Sequence, residues 1–474
     1  MRTMHGCGAA AAVIAVMAGA PVLASGDPAA TRTPSDREAS SDREAERLAA
    51  RLDAYLGPLA ASADFSGIVR IERDGRLVTE RRYGFADWTT RAPFADDTLF
   101  AGASITKGVL AVLLLDLAEA GALRLDDPVG RILPILADRP GLTIEAVLRH
   151  RAGLPRDLPG GADLGAEGVA GWLVRDPARL GPPGEERYSN VGYALLAEVA
   201  EAAGGAPFAD LAARRVLRPA GMTASHIAQG PISDLPTGAQ PHTAGPPPLG
   251  VETPTPARVE RGASGLAVTV ADLARWGAAL AARQDTALFA GDDPLGSLNE
   301  GTDHGLRYLA AQGSLPGYAA GVTVWPDTGL TVAYAANLFG HPVLNLDDVL
   351  RDVAYGAAPD PLPPRPADAP LDERHRRLAG RFEHPAFGLL VIGPDASGQG
   401  MRLTMPEREA YWSFYLTPVA QGRLHWRAFD VVFAPGAGGG VTAEARLARD
   451  ELLLLKRTED TDEDAVGGSG SVGD

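Results

Sequence analysis

Residues 103–115 of the chain are Ala103-Ser104-Ile105-Thr106-Lys107-Gly108-Val109-Leu110-Ala111-Val112-Leu113-Leu114-Leu115. The apolar run after Lys107 predicts a buried helix that ends at Gly121. Because residues three apart share one face of a helix, Lys107 can reach the Ser104 hydroxyl and, when unprotonated, accept its proton. The first helical turn also directs free N–H groups and the positive end of the helix dipole at Ser104. The stretch therefore predicts a nucleophilic serine at the start of a buried helix.

Lysine is rare in this chain: of its 44 basic residues, only Lys107 and Lys456 are lysines. Arginine stays protonated in proteins, whereas a buried lysine can lose its proton. A lysine that acts as a base must lower its pKa from about 10.4 to about 7, roughly 4–5 kcal/mol, and burial among Leu and Val acts in that direction. The same spacing also fits an N-capping serine followed by a solvent-reaching lysine, so the assignment needs further site residues.

Length, charge and composition limit the classes of function. With 474 residues, 45% of them apolar, the chain can form two folded domains. A net charge of −16 argues against nucleic acid and against an anionic membrane surface as partners. The nine histidines show no H-E-x-x-H pattern, and no Gly-rich phosphate loop stands between a strand and a helix. We therefore expect neither a metal nor a nucleotide cofactor.

The first 24 residues are typical of a secretory signal peptide. Arg2 precedes an apolar run from Ala9 to Ala20, and small residues follow around Ala24. The only cysteine, Cys7, lies inside this segment, so the mature protein would contain no disulfide. The sequence predicts export to a periplasm or beyond the cell, without stable membrane insertion after cleavage. An uncleaved signal anchor is the alternative, because a short apolar run does not decide cleavage.

Composition predicts the remaining domain boundaries. Residues 25–42 are predicted to be a flexible N-terminus, and 43–354 the first domain. Residues 355–372 are rich in Pro and Ala and predict a linker, followed by a small all-β domain at 373–458. The acidic, Gly-rich tail 459–474 is predicted to be disordered. The strands predicted in the small domain are Gly388–Ile392, Met401–Met405, Ser413–Leu416, Leu424–Arg427, Val431–Ala434, Thr442–Leu447 and Leu452–Lys456.

The first domain is predicted to have strands at both ends and helices between them. Asp74-Gly75 predicts a hairpin near the start, and two further strands, Tyr318–Trp325 and Leu330–Ala336, are predicted near the end. Pro-rich residues 236–256 are expected to lack regular structure, and 312–317 to form a turn. The helical features predicted in between are a short helix over Thr143–Arg149, a helix over Ala194–Ala203 and a helix N-capped by Thr269.

A second motif, Tyr188-Ser189-Asn190, stands just ahead of a predicted helix, where loop residues commonly line a cleft. With the S-x-x-K motif of Ser104 and Lys107, the chain resembles the serine β-lactamase-like family, which includes class C β-lactamases, D-alanyl-D-alanine carboxypeptidases, D-aminopeptidases and esterases. The resemblance covers about Phe65 to Asn337. It also includes Phe65-Ser66-Gly67, Arg82-Tyr83-Gly84, Leu99-Phe100, Gly153-Leu154-Pro155, Gly265-Leu266, Asp272-Leu273 and Pro316-Gly317-Tyr318.

The resemblance implies a β-lactamase/transpeptidase-like α+β fold, with an antiparallel sheet, flanking helices and a helical subdomain. It implies that Ser104 is the nucleophile that forms an acyl-enzyme and that Lys107 is the general base. Tyr188 would act as a general acid and base, and Asn190 would orient the lysine and the substrate amide. The backbone N–H groups of Ser104 and Ser314 would form the oxyanion hole.

The chain departs from the family at a third motif. Where the family has Lys or His, any residue and Gly ahead of Pro-Gly-aromatic, this chain has Ala311, Gln312 and Gly313. His304 is too far along the strand to replace the missing cation without a register shift, and Arg307 would reach the site only if the strand bends. Loss of a charge-assisted bond would cost about 1.5–3 kcal/mol in binding a substrate carboxylate.

The leading hypothesis is therefore a serine hydrolase acting on a small ester or amide, most similar to an esterase. A D-amino-acid peptidase, a carboxypeptidase or a β-lactamase acting on cell-wall-type substrates is the alternative within the same chemistry. A non-catalytic binding or regulatory protein on the same fold is the alternative of another class. His150 precedes a turn and is predicted to be a structural residue bonded to that turn, with a catalytic role as the alternative. The sequence leaves the oligomeric state open.

Overall fold

The computed structural model describes residues 34–159, 164–254, 260–290, 294–339, 346–359, 365–384, 388–406, 412–428, 430–436, 441–445 and 452–457. The predicted signal peptide and acidic tail lie outside these ranges. The chain divides into two compact units, 1–44 and 45–474, and the description below concerns the second. Within the described ranges, no helix has the length and apolar character needed to cross a membrane.

The helices lie mainly between the two groups of strands of the first domain. Helix α1 begins at Pro34, inside the segment 25–42 that the sequence predicts to be flexible. The α-helices of the described residues are α1 (Pro34–Ala61), α2 (Ile105–Glu119), α3 (Val129–Ile132), α4 (Ile144–Leu148), α5 (Gly168–Arg175), α6 (Asn190–Gly204), α7 (Phe208–Ala212), α8 (Val270–Ala281), α9 (Leu346–Tyr355) and α10 (Glu373–Arg376).

The strands form the main sheet, two small sheets and a C-terminal barrel. The strands of the described residues are β1 (Gly67–Arg73), β2 (Arg76–Tyr83), β3 (Phe100–Ala101), β4 (His226–Ile227), β5 (His242–Ala244), β6 (Val251–Glu252), β7 (Leu266–Val268), β8 (Leu298–Asp303), β9 (Leu306–Leu315), β10 (Tyr318–Trp325), β11 (Leu330–Ala336), β12 (Leu338–Phe339), β13 (Gly380–His384), β14 (Gly388–Pro394), β15 (Met401–Thr404), β16 (Ser413–Val419), β17 (Arg423–Trp426), β18 (Val431–Pro435), β19 (Val441–Ala445) and β20 (Leu452–Arg457).

The main sheet is antiparallel and combines strands from both ends of the first domain, in the order β2-β1-β11-β10-β9-β8. The predicted hairpin is confirmed: Asp74 and Gly75 join β1 to β2 with φ angles of +51° and +71°, as a tight two-residue turn requires. Strands β10 and β11 have the predicted bounds. The predicted α+β fold is therefore confirmed.

Helices cover both faces of this sheet. Helix α8 packs so closely on one face that a Cβ added to Gly277 would lie 2.8 Å from Val322 Cγ2. Its predicted N-cap is also confirmed, since Thr269 accepts the Asp272 N–H at 3.2 Å. On the other face, α1 and α9 contribute buried leucines, including Leu52 and Leu350, to a separate apolar cluster. The sheet and α8 thereby support α2, whose residues from Ile105 to Leu114 are all buried.

Two predictions on local structure are wrong, and one strand is missing from the prediction. Residues 312–315 continue β9 instead of forming a turn, so that only Pro316 and Gly317 connect β9 to β10. The Pro-rich segment 236–256 contains β5 and β6, which pair with each other because the prolines at 246–248 fall in the connection between them. Strand β8 was not predicted, and it pairs with β9 from Leu298 to Asp303.

The C-terminal domain is a closed antiparallel barrel of strands β13 to β20 in sequence order. The predicted all-β domain is confirmed, although β13 is missing from the prediction. Two arginines join the barrel to the first domain. Arg402 makes a two-bond contact with Glu252, at 3.0 and 2.7 Å. Arg427 is buried and donates to Asp64 Oδ1 at 2.5 Å and to the carbonyls of Ala63 and Gly250.

Candidate functional site

Ser104 is the residue immediately before α2, at the position that the sequence predicts for the nucleophile. Ala103, which precedes it, has a φ of +45°, a backbone conformation that is uncommon for a residue with a side chain. The Ser104 Oγ lies 2.7 Å from the Tyr188 Oη and 3.1 Å from the Lys107 Nζ. The structure thus brings together the serine, the lysine and the tyrosine of two motifs that are 84 residues apart.

Lys107 is fully buried on the first turn of α2. Its Nζ donates a hydrogen bond to the Ala263 carbonyl at 2.9 Å and lies 4.8 Å from the centre of the Tyr188 ring. Burial lowers the pKa of Lys107 to about 7, although the negative charges of Glu260 and Asp157 act in the opposite direction. Near neutral pH a large fraction of this amine is therefore unprotonated and can accept a proton.

Tyr188 lies on the loop before α6, with Ser189 as the N-cap of that helix. The Ser189 Oγ accepts the Gly192 N–H at 2.9 Å, which fixes the backbone next to Tyr188. Burial raises the pKa of Tyr188, while the hydrogen bond to Ser104 and the charge of Arg156 oppose this. The Arg156 guanidinium lies 5.0 Å from the ring centre. Tyr188 is therefore a phenol at neutral pH, suited to donate a proton and to relay one.

The predicted contact of Asn190 with the lysine is not present. The Asn190 Nδ2 donates to Asp157 Oδ1 at 2.6 Å, because α6 begins at this residue and directs its side chain at the 153–157 loop. Among the described residues, the Lys107 Nζ has hydrogen-bond contacts with Ser104 and Ala263. The residue that orients Lys107 is therefore Ala263, through its carbonyl, and not Asn190 as the resemblance implies. Asn190 still borders the cavity in front of Ser104.

His150 does not bond to its own turn through its side chain, so that part of the prediction is wrong. Its Nδ1 accepts the Ser189 N–H at 3.0 Å, and its Nε2 lies 3.0 Å from the Ser297 Oγ. Because Nδ1 accepts, the neutral ring donates from Nε2 to Ser297. The imidazole stacks on Tyr188 with 4.7 Å between ring centres. Burial, with the nearby charges of Lys107 and Arg156, lowers the pKa of His150 to about 4, so the ring is neutral.

Strand β9 passes directly beside the start of α2. A Cβ at Gly313 would lie 2.3 Å from the Gly102 carbonyl oxygen and 2.6 Å from the Ser104 nitrogen, so only glycine fits there. This contact supports the assignment of Ala311, Gln312 and Gly313 to the third family motif. The next residue, Ser314, borders the cavities in front of Ser104. The backbone of Ser314 is thus in the neighbourhood that an oxyanion hole with Ser104 requires.

Neither Arg307 nor His304 replaces the Lys or His that the family has at the position of Ala311. Ala311 is buried and pairs across the sheet with Leu298, which borders the cavity in its place. Arg307 is engaged by Glu300 at 2.7 Å. His304 stacks on Tyr355 and lies 3.3 Å from Asp352. Neither Arg307 nor His304 lines either cavity beside Ser104 within the described part of the chain.

Two cavities meet at Ser104, and both are bordered by Tyr188 and Ser314. The larger cavity has a volume of about 620 Å³ and includes Arg149 and Leu298 in its lining. The smaller cavity, of about 180 Å³, is lined by Arg156, Asp157, Asn190, Glu260, Ala263, Ser264, Leu315, Pro316 and Trp412 in addition. Trp412 belongs to the C-terminal barrel, and no motif in the sequence predicted its presence at the site.

The arrangement suits nucleophilic attack by a serine. Ser104 has within hydrogen-bond distance a phenol and an amine whose pKa is lowered to about 7, and two cavities extend from it that could receive the two sides of a scissile bond. Within the described residues, no cluster of three or more His, Cys, Asp or Glu side chains is suited to hold a metal ion. Glu260 and Asp157 act on the charge of Lys107 and thereby on its pKa.

Comparison with known proteins gives three kinds of match. The Beta-lactamase family model matches residues 52–355. Penicillin-binding protein 4* of Bacillus subtilis (strain 168) is 29% identical over 192 residues, which cover 37% of this chain and 41% of that protein. Esterase EstB of Burkholderia gladioli is 33% identical over 201 residues, covering 38% of this chain and 51% of that protein. The chain thus spans about half or less of the length of these curated relatives.

A solved structure extends the likeness to the C-terminal part of the chain. The octameric penicillin-binding protein homologue from Pyrococcus abyssi has a TM-score of 0.55 and 20% identity, and covers 86% of this chain and 100% of its own. This likeness shows the fold. The family model, for its part, matches more than half of the chain and includes Ser104, Lys107 and Tyr188. The chain therefore belongs to the β-lactamase family.

Proposed function

We propose that the protein is a serine hydrolase that forms an acyl-enzyme on Ser104. The observation that carries this proposal is the position of the Ser104 Oγ, 3.1 Å from the Lys107 Nζ and 2.7 Å from the Tyr188 Oη. Membership of the β-lactamase family supports it. The lowered pKa of Lys107 supplies a base that functions near neutral pH.

In acylation, the Ser104 Oγ attacks the carbonyl carbon of the substrate and gives its proton to the Lys107 Nζ. The carbonyl oxygen becomes an oxyanion, which the N–H groups of Ser104 and Ser314 stabilise. The Tyr188 hydroxyl then protonates the leaving group as the scissile bond breaks, and Tyr188 recovers a proton from the Lys107 ammonium. The Ala263 carbonyl holds Lys107 in position through these transfers.

In deacylation, a water molecule replaces the leaving group and attacks the acyl carbon. Its proton passes to the Lys107 and Tyr188 pair, and the pair returns a proton to the Ser104 Oγ as the acyl bond breaks. His150 has its pKa lowered to about 4 and stays neutral, so it holds the Tyr188 ring without taking part in the proton transfer.

The substrate is proposed to be a small ester or amide without an essential carboxylate. Ala311 provides no cation at the position where the resemblance implies one, and Leu298 borders the cavity there. The carboxyl groups of Asp157 and Glu260 line the smaller cavity with one guanidinium, that of Arg156, so negative charge exceeds positive charge there and disfavours an anionic group. We also propose that the protein is exported, in line with the signal peptide predicted at 1–24.

A peptidase acting on D-amino-acid peptides is the second candidate. It is favoured by Arg149 in the larger cavity and Arg156 in the smaller one, since either guanidinium can bind a substrate carboxylate. Arg149 is already engaged by Glu145 at 3.0 Å, and Arg156 lies 3.4 Å from Asp157. Binding of a carboxylate there would compete with these ion pairs, which is why we place the ester first.

The test compares hydrolysis of a p-nitrophenyl acyl ester with that of nitrocefin, using wild type and Ser104→Ala. We expect ester turnover in the wild type, its loss in Ser104→Ala, and no hydrolysis of nitrocefin. Hydrolysis of nitrocefin would instead support β-lactam chemistry. No turnover of either substrate, together with no covalent labelling of Ser104 by a fluorophosphonate, would support a non-catalytic binding protein and refute the proposal.

A further inference from the structure

The smaller cavity beside Ser104 is bordered on one side by a residue of the C-terminal barrel. Trp412 stands immediately before β16 and lines this cavity with Leu315 and Pro316 of the first domain. We propose that Trp412 is a specificity-determining residue that packs against an aryl or other flat apolar group of the substrate. This inference rests on the proposed function, because it concerns a substrate of the same serine.

The backbone around Trp412 is held by the barrel. The Met405 N–H donates to the Trp412 carbonyl at 3.1 Å, which continues the pairing of β15 with β16 by one step. The Trp412 and Phe414 rings make an edge-to-face contact, with 6.1 Å between the ring centres and 72° between the ring planes. The half-buried indole therefore packs on the barrel and also borders the cavity.

The barrel, in turn, is tied to the first domain close to this point. Arg402, on β15, makes its two-bond contact with Glu252 and also donates to Asp395 at 2.7 Å. Glu252 lies on β6 of the first domain. Arg402 stands three residues before Met405, so this ion pair attaches β15 to the first domain near the backbone bond that holds Trp412.

The lining of the smaller cavity has two chemically different sides. Trp412, Leu315 and Pro316 contribute the apolar part of the lining, whereas Arg156, Asp157 and Glu260 contribute charged groups. A flat apolar group gains contact area against an indole, and two aromatic rings gain further from their offset or edge contacts. An anionic group would meet two carboxylates and a single guanidinium, that of Arg156, which already lies 3.4 Å from Asp157. The cavity is thus suited to an aryl group that adjoins the scissile bond.

The test measures kcat/KM for two pairs of esters with wild type, Trp412→Ala and Trp412→Phe. The first pair, p-nitrophenyl phenylacetate and p-nitrophenyl acetate, varies the acyl group; the second, phenyl acetate and ethyl acetate, varies the leaving group. For one of the two pairs, we expect the ratio of kcat/KM for the ester with the additional aryl group to kcat/KM for the other ester to fall about tenfold in Trp412→Ala. The same ratio should be largely kept in Trp412→Phe. The pair that responds identifies the side of the scissile bond that the smaller cavity receives.

Phe433→Leu is the control for a loss of barrel stability. Phe433 is buried in the barrel and packs near Trp426, away from both cavities. This variant should lower the melting temperature and leave both substrate ratios unchanged. Ratios in Trp412→Ala that stay within about twofold of wild type for both pairs would overturn the inference.

A second measurement keeps this inference separate from the proposed function. Inactivation rates with a benzyl-bearing and a methyl-bearing fluorophosphonate give the same kind of ratio without requiring turnover. Labelling of Ser104 with an unchanged ratio in Trp412→Ala would overturn the inference and leave the proposed function standing. Failure of both reagents to label wild-type Ser104 would overturn the two together.

Discussion

Replacing Lys107 with methionine should make the protein inactive and, near neutral pH, more stable. Methionine has a similar length and carries no charge, whereas the folded protein holds Lys107 in a site where burial lowers its pKa from 10.5 to about 7. That difference corresponds to about 5 kcal/mol in the free energy of unfolding, at about 1.36 kcal/mol for each pH unit. Loss of the bond to the Ala263 carbonyl costs about 1–2 kcal/mol in return.

The sign of the effect follows from where the proton is bound. Below about pH 7 the lysine is protonated in both states, and the folded protein bears the full cost of a buried charge. Between about pH 7 and 10.5 the unfolded chain holds a proton that the folded protein lacks, so the wild type gains stability as the pH rises. At pH 7 we therefore expect Lys107→Met to be about 2–3 kcal/mol more stable than wild type, with this advantage shrinking towards pH 10.

Urea denaturation at several pH values between 6 and 10 measures this difference directly. Leu114→Met is a suitable control, because it places methionine in the buried part of the same helix without removing a charge. Its stability should follow the pH dependence of the wild type. If Lys107→Met also runs parallel to wild type over this range, the buried lysine does not have a lowered pKa and the reasoning is refuted.

Four further predictions concern catalysis and domain packing. The kcat/KM for an ester should rise with pH through about 7, as Lys107 loses its proton, and a flat profile from pH 5 to 9 would contradict this. His150→Asn should lower kcat and keep the pH midpoint of the kcat/KM profile, because asparagine tolerates the positive φ of this position and can accept the Ser189 N–H. A shifted midpoint would mean that His150 carries a proton in the reaction. Gly313→Ala should lower kcat about 100-fold by displacing β9 from Ser104, whereas Gly393→Ala, with no atom within 4 Å of its Cβ, should have no effect; equal activities would refute the contact. Arg427→Met should lower the free energy of unfolding by about 3 kcal/mol, measured by denaturation, and an unchanged stability would show that this buried pair does not hold the barrel.

The sequence predicted those parts of the fold that depend on local signals. Asp74-Gly75 predicted a hairpin and Thr269 an N-cap, and the strands Tyr318–Trp325 and Leu330–Ala336 were predicted with the bounds that the structure has. Strand β8 was not predicted because Leu298 is the only buried residue in it and its other residues are polar or glycine. A usable signal was present in His304-Gly305, where both residues have positive φ and form the turn to β9.

The sequence predicted the site residues that belong to recognisable motifs. Ser104, Lys107 and Tyr188 lie within hydrogen-bond distance, because one turn of α2 brings the two residues of S-x-x-K together and the start of α6 positions Tyr188. Contacts made by residues outside the motifs could not be derived in the same way. The Ala263 carbonyl that holds Lys107 and the indole of Trp412 come from segments distant in sequence. The fold of the first domain brings Ala263 to the cavity, and the packing of the barrel on that domain brings Trp412 there.

The most direct test of the central claim is to trap the covalent intermediate. Wild type, Ser104→Ala and Tyr188→Phe would each be mixed with a p-nitrophenyl ester, quenched in acid, digested and analysed by peptide mass spectrometry. The proposal predicts one acyl group on the peptide that contains Ser104 in wild type, and none in Ser104→Ala. Turnover of the ester by Ser104→Ala at the wild-type rate, or an acyl group on another residue, would contradict the claim that Ser104 is the nucleophile.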